Sequence, residues 1–394
     1  GPIRTAWFRN KIEIKNRPTF NKERKLKLFE SLIHTHGFES FLGKKFVGQK
    51  RFSIEGGESL IPALQTLITK GSELGVENFI MGMAHRGRLN TLTNIFKKRP
   101  KDIFAEFEGK EFDFETTFDG DVKYHQGFTS NITLDSGKKV GLTLAPNPSH
   151  LEAVNGVVEG IARAKIDHIY KDEQKVCPVL IHGDAAIAGQ GIVYETIQMA
   201  ELDGYRTGGT IHLVVNNQVG FTTNYLDGRS STYCTDVAKT TLSPVFHVNG
   251  DDVEAVLTAV EIAMEYRQQF HRDVFIDLLC YRKFGHNEGD EPKFTQPKLY
   301  NLIAKHPNPK EIYFSQLEAD GILDKIEAKK IENAYNSHLE KEFDLANQSE
   351  KALVHDFLSE IWEGYRHCNG KDFNVSPTTK VNLKALQELG IQGL

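Results

Sequence analysis

The 394-residue sequence has no hydrophobic run near the roughly 20 residues that a bilayer-spanning helix needs, and no secretory h-region among its opening residues. A protein that neither spans a membrane nor enters the secretory route is the expectation. Cysteine is scarce. Cys177, Cys234, Cys280 and Cys368 stand singly, so neither a C-x-x-C metal site nor a disulfide scaffold is on offer. The first three sit in apolar or motif-like surroundings and read as buried thiols in a reducing compartment. Positive charge is not in excess: 48 Lys and Arg face 53 Asp and Glu, a formal charge of −5, which gives no support for a nucleic-acid binder. G-x-G-x-x-G and G-x-x-x-x-G-K-[ST] are both missing, which argues against a Rossmann dinucleotide site and a P-loop. Internal repeats and low-complexity segments are absent too.

What is present is an ordinary globular balance, 39% hydrophobic and 26% charged, long enough for one large domain or two. Residues 1–50 read as a basic, irregular segment with one helix near Lys22–His34. His34 and His36 there fit a helix end better than a metal pair. Residues 51–305 carry strand–turn–helix alternation. Helical spacing runs from Glu58 to Leu74, followed by a strand at Asn78–Met83 and a helix at Arg88–Phe96. Residues 98–122 read as an irregular excursion. A strand at Lys139–Leu144 leads to Ser149, a candidate cap for a helix reaching Ile166. Then come strand 176–182, helix 190–202, strands 210–215 and 245–248, helix 252–270 capped by Asp251 or Asp252, and strand 274–281. This alternation predicts an α/β fold, a parallel sheet with helices on both faces. Residues 306–394 read as a charged helical extension and tail, with helices at 309–320, 323–347 and 351–365. The helix at 323–347 is most simply a solvated face, with a helical partner surface as the other reading.

In a parallel sheet, ligands bind beyond the carboxyl ends of the strands. Two such ends stand out. Val176–Ile181 delivers Asp184 in Gly183-Asp184-Ala185, and Ile211–Val215 delivers Asn216-Asn217. An acid and an amide on adjacent strand ends suit a divalent metal carrying a diphosphate, since Mg²⁺ takes one or two protein oxygens and fills its octahedron with phosphate and water. The competing reading is two ordinary strand-end turns, where Asp and Asn are common. Gly183 and Gly189 allow close backbone approach, and the helix after Gly191 points its amino end at the same edge, favouring an anion.

Gly183-Asp184-Ala185 followed thirty residues later by Asn216-Asn217 resembles the thiamine diphosphate motif, with Ala in the third position where many families have Gly. That variant resembles the 2-oxoglutarate dehydrogenase E1 components. The resemblance extends in unbroken order from about Arg4 to about Arg366, through Met83-Ala-His-Arg-Gly-Arg-Leu-Asn90, Lys123-Tyr-His-Gln-Gly127, Asn147-Pro-Ser-His-Leu-Glu152, Phe221-Thr-Thr, Tyr233-Cys-Thr-Asp236, Cys280-Tyr-Arg, Gly285-His-Asn-Glu288 and Asp290-Glu-Pro292. It implies a thiamine diphosphate-binding fold, with thiamine diphosphate and Mg²⁺ as cofactors. Asp184, Asn217 and the Val219 carbonyl would hold the metal. Arg86, Ser149, Leu151, Asp184, Ala185, Ala186 and Asn217 would line the cofactor. His85 and His125 would be catalytic, and His85, Arg86, His125 and Thr129 would meet the 2-oxo acid. A strand-end His-Arg pair agrees with this chemically, because a dianion needs cationic and hydrogen-bonding groups. The alternatives are a satisfied core histidine for His85, a loop histidine for His125 and a structural salt bridge for Arg86. His150 is open between a ligand and a helix-start residue, and His286 reads as a structural neighbour.

The resemblance further implies decarboxylation of 2-oxoglutarate and succinyl transfer to the lipoyl group of a dihydrolipoyl succinyltransferase E2. It implies a homodimer in the full-length enzyme, in the bacterial cytoplasm or the mitochondrial matrix. Ylid activation in this family falls to a glutamate of a second, pyrimidine-binding α/β domain. The chain is therefore expected to be the diphosphate-binding half, inactive alone. Alternatives are an alpha-type subunit of a split 2-oxo acid dehydrogenase, with 2-oxoadipate as the other substrate, a non-catalytic scaffold, or a nucleotide-binding α/β enzyme.

Overall fold

The computed structural model describes residues 1–14, 19–110, 125–353, 357–358, 361–366 and 368–392. They form two compact units, Gly1–Phe357 and Leu358–Leu394. The boundaries expected at 50 and 305 both fall inside the first unit.

Chain order begins with α1 (Pro2–Ile12) and α2 (Lys22–Lys45). Asn21 caps α2, its side chain accepting from the Arg24 N–H. The helix runs well past His34, so His34 and His36 lie inside it and not at its end. The reason is apolar spacing: Leu28, Phe29, Leu32, Ile33, Phe38, Phe41 and Leu42 are all buried along one face. Next come α3 (Leu60–Glu73), β1 (Asn78–Met83), α4 (Arg88–Asn94) and α5 (Pro100–Phe107). Part of the stretch expected to be irregular is thus α5, started by Pro100 at the first helical position. Residues 111–124 lie outside the described ones.

The sheet continues with β2 (Phe128–Thr133), which the sequence pattern did not predict, and β3 (Lys139–Leu144). α6 (Val154–Lys165) ends in a π-turn at Ile166–Tyr170. Then follow β4 (Val176–Gly183), α7 (Asp184–Gly189), α8 (Gly191–Met199) and β5 (Ile211–Asn216). A small hairpin, β6 (Val219–Gly220) with β7 (Thr223–Asn224), precedes α9 (Tyr225–Gly228) and a 3₁₀ turn at Cys234–Thr241. β8 (Val245–Asn249), α10 (Val253–Phe270) and β9 (Val274–Leu279) complete the sheet. Asp252 is the cap of α10, accepting from the Ala255 N–H. α11 (Pro297–Ile303), α12 (Pro309–Ala319) and α13 (Lys325–Gln348) follow.

The sheet order is β2-β3-β1-β4-β5-β9-β8, parallel throughout except for the antiparallel β2–β3 edge pair. This is the expected α/β class. Every residue of β1 and β5 is buried, so period two shows as a choice between two cores. Phe79, Met81, Val179 and Leu213 pack with α3 and α10 residues such as Leu64 and Val260 on one face. Ile80 and Leu180 join Val158 of α6 on the other, and Val214 joins Ile187 and Val193 there.

The lysine- and glutamate-rich α13 is not simply a solvated face. Ala328, Tyr335, Leu339, Glu342 and Ala346 are buried at helical spacing and pack it against α2 and α5. Of the helix expected at 351–365, residues 354–356 and 359–360 lie outside the described ones, and the described remainder forms turns and bends. In the second unit, α14 (Leu383–Gln392) occupies the expected tail. No helix of the described residues is long and apolar enough to cross a membrane.

Candidate functional site

Parallel pairing brings the carboxyl ends of β1, β4, β5 and β9 to one edge. β1 delivers Ala84, His85 and Arg86. Gly87 then takes a left-handed φ of 73° and turns the chain into α4, a conformation that costs glycine little. Gly183 pairs with Val215, so the Asp184 turn and the Asn216-Asn217 turn are neighbours. β2 runs antiparallel, so the His125 turn that precedes it reaches this same edge.

A cleft of about 100 Å³ opens there. Its walls include His85, Arg86, Leu151, Asp184, Ala185, Ala186, Asn217 and Val219. Asp184 is only 2% exposed. Burial pushes its carboxyl up to about 6, against the pull of Arg229, whose Nη1 stands 3.6 Å away. Asn217 Oδ1 accepts from the Val219 N–H at 3.4 Å. Asn216 turns away, its Nδ2 donating to Asp277 Oδ1 at 2.9 Å. Within the Asn-Asn pair, one residue faces the cleft and the other braces the strand end. β6 sits hard against the Asp184 turn: a Cβ on Gly220 would lie 2.5 Å from that of Ala185.

One carboxylate, one amide oxygen and one backbone carbonyl form a hard-oxygen set of the kind Mg²⁺ prefers. Asp184 is a buried acid whose ion pair with Arg229 and backbone hydrogen bonds do not offset its desolvation, and a bound cation would favour its charged form further. Among the described residues there is no cluster of three or more His, Cys, Asp or Glu that could hold a metal ion, so a nitrogen- or sulfur-rich centre is not provided here.

The opposite wall is basic. Burial, then Arg86, His286 and His125, press the His85 imidazole down to about 3, so it is neutral at pH 7. Its ring lies 4.1 Å from Phe52 and 5.3 Å from His286. Arg86 donates to the Ser53 carbonyl at 3.1 Å and the His286 carbonyl at 2.6 Å. Those bonds aim the guanidinium, while burial and Arg282 lower it to about 10.

Three expected residues do not line the cleft. His125 is buried in its turn, with its carbonyl accepting from the Asn147 N–H at 2.9 Å. Thr129 pairs with Thr143 on the edge strand. Ser149 is exposed and caps nothing, and His150 beside it is exposed too. α6 begins later, behind Ala153, without a side-chain cap. Glu152 interrupts the run: it adopts a φ of 68° and directs its carboxylate to His182 Nδ1 at 2.6 Å and Asn155 Nδ2 at 2.9 Å.

The sequence comparisons bear on what this edge belongs to. The sequence model of the family described as Dehydrogenase E1 component matches residues 31–354, most of the chain and every strand named above. The chain belongs to the dehydrogenase E1 component family. It is similar to the 2-oxoglutarate dehydrogenase E1 component of Azotobacter vinelandii, 48% identical over 97% of this chain and 40% of the relative. It is also similar to those of Brucella anthropi, 45% identical over 99% of this chain and 40% of the relative, and Rickettsia felis, 46% identical over 98% and 39%. The chain thus spans about 40% of the length of these curated relatives.

Four further cleft or cleft-side residues of this E1-family chain escaped sequence reasoning. Arg282 lines the cleft and donates to the Phe221 and Phe284 carbonyls at 2.9 and 3.2 Å. Its signal was position, since it directly follows a buried strand in the Cys280-Tyr-Arg block. Phe221 lines the cleft too, in a left-handed φ of 52°. His182 precedes Gly183, but both its ring nitrogens are engaged, Nδ1 by Glu152 and Nε2 by His212 Nδ1 at 3.0 Å. It is wall, not ligand. Arg229 carried no signal, because its meeting with Asp184 is purely tertiary. His286, expected to be a structural neighbour, lines the cleft and is pressed down to about 4, chiefly by burial.

Proposed function

We propose that this cleft holds Mg²⁺ and the diphosphate of thiamine diphosphate, and that the chain serves a 2-oxo acid dehydrogenase E1 acting on 2-oxoglutarate. The supporting observation is the convergence of Asp184, Asn217 and Val219 on one wall, with Asp184 raised to about 6 by burial although Arg229 stands 3.6 Å away. Asp184 and Asn217 would hold the metal by side-chain oxygens, and Val219 by its carbonyl. Leu151, Ala185 and Ala186 would border the cofactor. When bound, thiamine diphosphate supplies the electron sink for decarboxylation of a 2-oxo acid.

The chain's own residues would bind and orient. Arg86 and Arg282, each tied to backbone carbonyls, place fixed positive charge beside the cleft for a dianion. His85 is neutral in the unliganded cleft, so it can accept or donate a hydrogen bond. A substrate dianion would draw its pKa upward and let it hold a proton during reaction. His125 would act from the neighbouring turn, with Thr129 behind it, and Ser149 would reach the cofactor only from the exposed turn after β3. The similarity to 2-oxoglutarate dehydrogenase E1 components favours 2-oxoglutarate over the one-methylene-longer 2-oxoadipate. The reading also places the aminopyrimidine end of the cofactor against a second α/β domain, in a homodimeric enzyme that passes its succinyl group to the lipoyl arm of an E2.

The test is calorimetric titration of thiamine diphosphate with and without Mg²⁺. Saturable, Mg²⁺-dependent binding that Asp184→Asn removes is expected. Equal binding by the Asp184→Asn variant, or none by the native chain, would overturn the assignment.

A further inference from the structure

The tip of the β6–β7 hairpin carries a residue that its backbone disfavours. Gly220 pairs with Thr223, which leaves Phe221 and Thr222 as a two-residue loop. Phe221 takes the first loop position with a φ of 52°. A positive φ there favours Gly, Asn or Asp, and it strains a bulky side chain. Leu242 and His271 share this conformation, but each ends a helical turn and bonds its N–H back to that turn. Phe221 ends no helix.

Bonds to the main chain impose the conformation. Arg282 Nη2 donates to the Phe221 carbonyl at 2.9 Å, and Gln296 Nε2 donates to the Thr222 carbonyl at 3.0 Å. Both loop carbonyls are thus tied to the chain after β9. Gly220, on the strand side, is pressed against Ala185. None of these restraints involves the phenyl ring, and an Asn or Gly in its place would keep them all. The ring itself gains little from folding. Phe221 is 64% exposed, and its ring meets the His286 ring at 4.7 Å.

What the ring does have is a place in the strand-end cleft. It lines that space together with the apolar side chains of Leu151, Ile181, Val215 and Val219. A metal and a bare diphosphate gain nothing from an exposed phenyl group. A ligand that also bears a flat ring does, because apolar burial and ring packing are then realised on binding. Strain that folding leaves uncompensated is offset there. We infer that Phe221 is a specificity-determining contact: its ring covers the planar heterocyclic part of a diphosphate ester and so selects that ligand over bare diphosphate. This role rests on the metal–diphosphate reading of the cleft.

The test compares the native 394-residue chain with Phe221→Asn, which removes the ring and accepts the positive φ. Each is unfolded thermally, and each is titrated calorimetrically with Mg²⁺–thiamine diphosphate and with Mg²⁺–pyrophosphate. The variant is expected to keep a Tm equal to or above the native one. Its affinity for Mg²⁺–thiamine diphosphate should fall about tenfold, while that for Mg²⁺–pyrophosphate stays within about twofold. Stability and ligand affinity thus move apart, which a merely structural residue would not allow. Unchanged thiamine diphosphate affinity overturns the role. So does an equal loss for pyrophosphate, which places the effect in the hairpin's hold on metal and diphosphate. A lowered Tm overturns it too, by making the ring part of the packing. Those three results leave the metal–diphosphate reading standing. Absence of thiamine diphosphate binding to the native chain overturns that reading, and this role with it.

Discussion

A cluster of carboxylates and a single buried one lie along the strand-end edge, and they are completed to different degrees. In the first, Arg51 gathers Glu39, Glu55 and Glu288. It bonds Glu39 and Glu55 directly, and the Glu288 carboxylate accepts the backbone N–H groups of Arg51, Phe52 and Ser53. Burial alone would raise Glu55, but Lys283 and Arg51 hold it below the usual carboxylate range. In the second, Asp184 is as deeply buried, yet its one counter-charge is 3.6 Å off and its pKa rises to about 6. Burial also raises Glu39 despite Arg51, so what separates scaffold from site is that Asp184 lines the cleft while the Arg51 cluster does not. The first cluster joins α2, the β1 approach and the loop after β9. Asp184, paired with Arg229 alone and still raised to about 6, faces a cleft that a further cation can enter.

The largest expected effect comes from breaking the satisfied cluster. Arg51→Met strands Glu39 in low dielectric and takes one cation each from Glu55 and Glu288, and should cost about 3–5 kcal/mol, read by urea denaturation. A destabilisation below about 1 kcal/mol would show that the cluster is not the brace described. Gly220→Ala comes next. Its methyl would meet Ala185 at 2.5 Å, and the enforced shift should cost about 1–3 kcal/mol while widening the cleft. Mg²⁺–thiamine diphosphate affinity should fall with it, and unchanged affinity would show that β6 does not set the cleft.

Glu159 is an intermediate case, satisfied by the Thr207 and Thr210 hydroxyls at 2.8 Å but without a cation. Burial, then Asp273, push it up to about 7, above the ~4.3 of an unfolded chain. The folded state therefore holds this proton more tightly. The resulting stability is complete below about pH 4.3 and is lost as pH rises through 7. Discounted for partial exposure, a decline of about 1–2 kcal/mol across that window should appear in the native chain and be missing from Glu159→Gln. Parallel pH profiles would remove Glu159 from the account. Asp184→Asn should have the smallest effect on folding, within about 1 kcal/mol, because burial already raises this carboxyl to about 6 and offsets most of what its pairing with Arg229 contributes. A loss of several kcal/mol would place Asp184 with the first cluster.

Much of the sheet was legible because buried parallel strands are continuous apolar runs between turn signals. Asn78–Met83, Lys139–Leu144 and the core of Val176–Gly183 fall where the pattern puts them. β2 was not legible, because Phe128–Thr133 is a half-exposed edge strand whose polar residues resemble a loop. The cap expected at Ser149 failed because Glu152 prefers His182, a partner thirty residues away in sequence. α13 read as solvated because its buried positions include Tyr335 and Glu342, whose burial depends on α2 and on Arg99.

The sequence by itself determined the α/β class, the strand ends that carry Asp184 and Asn217, and the family, because these depend on local periodicity and ordered motifs. Only the tertiary structure decided which groups complete them. Arg229 beside Asp184, Arg282 beside Arg86 and the carboxylates around Arg51 meet across long sequence separations. Burial then sets their charge, and burial is a property of the packed molecule that no stretch of sequence carries alone.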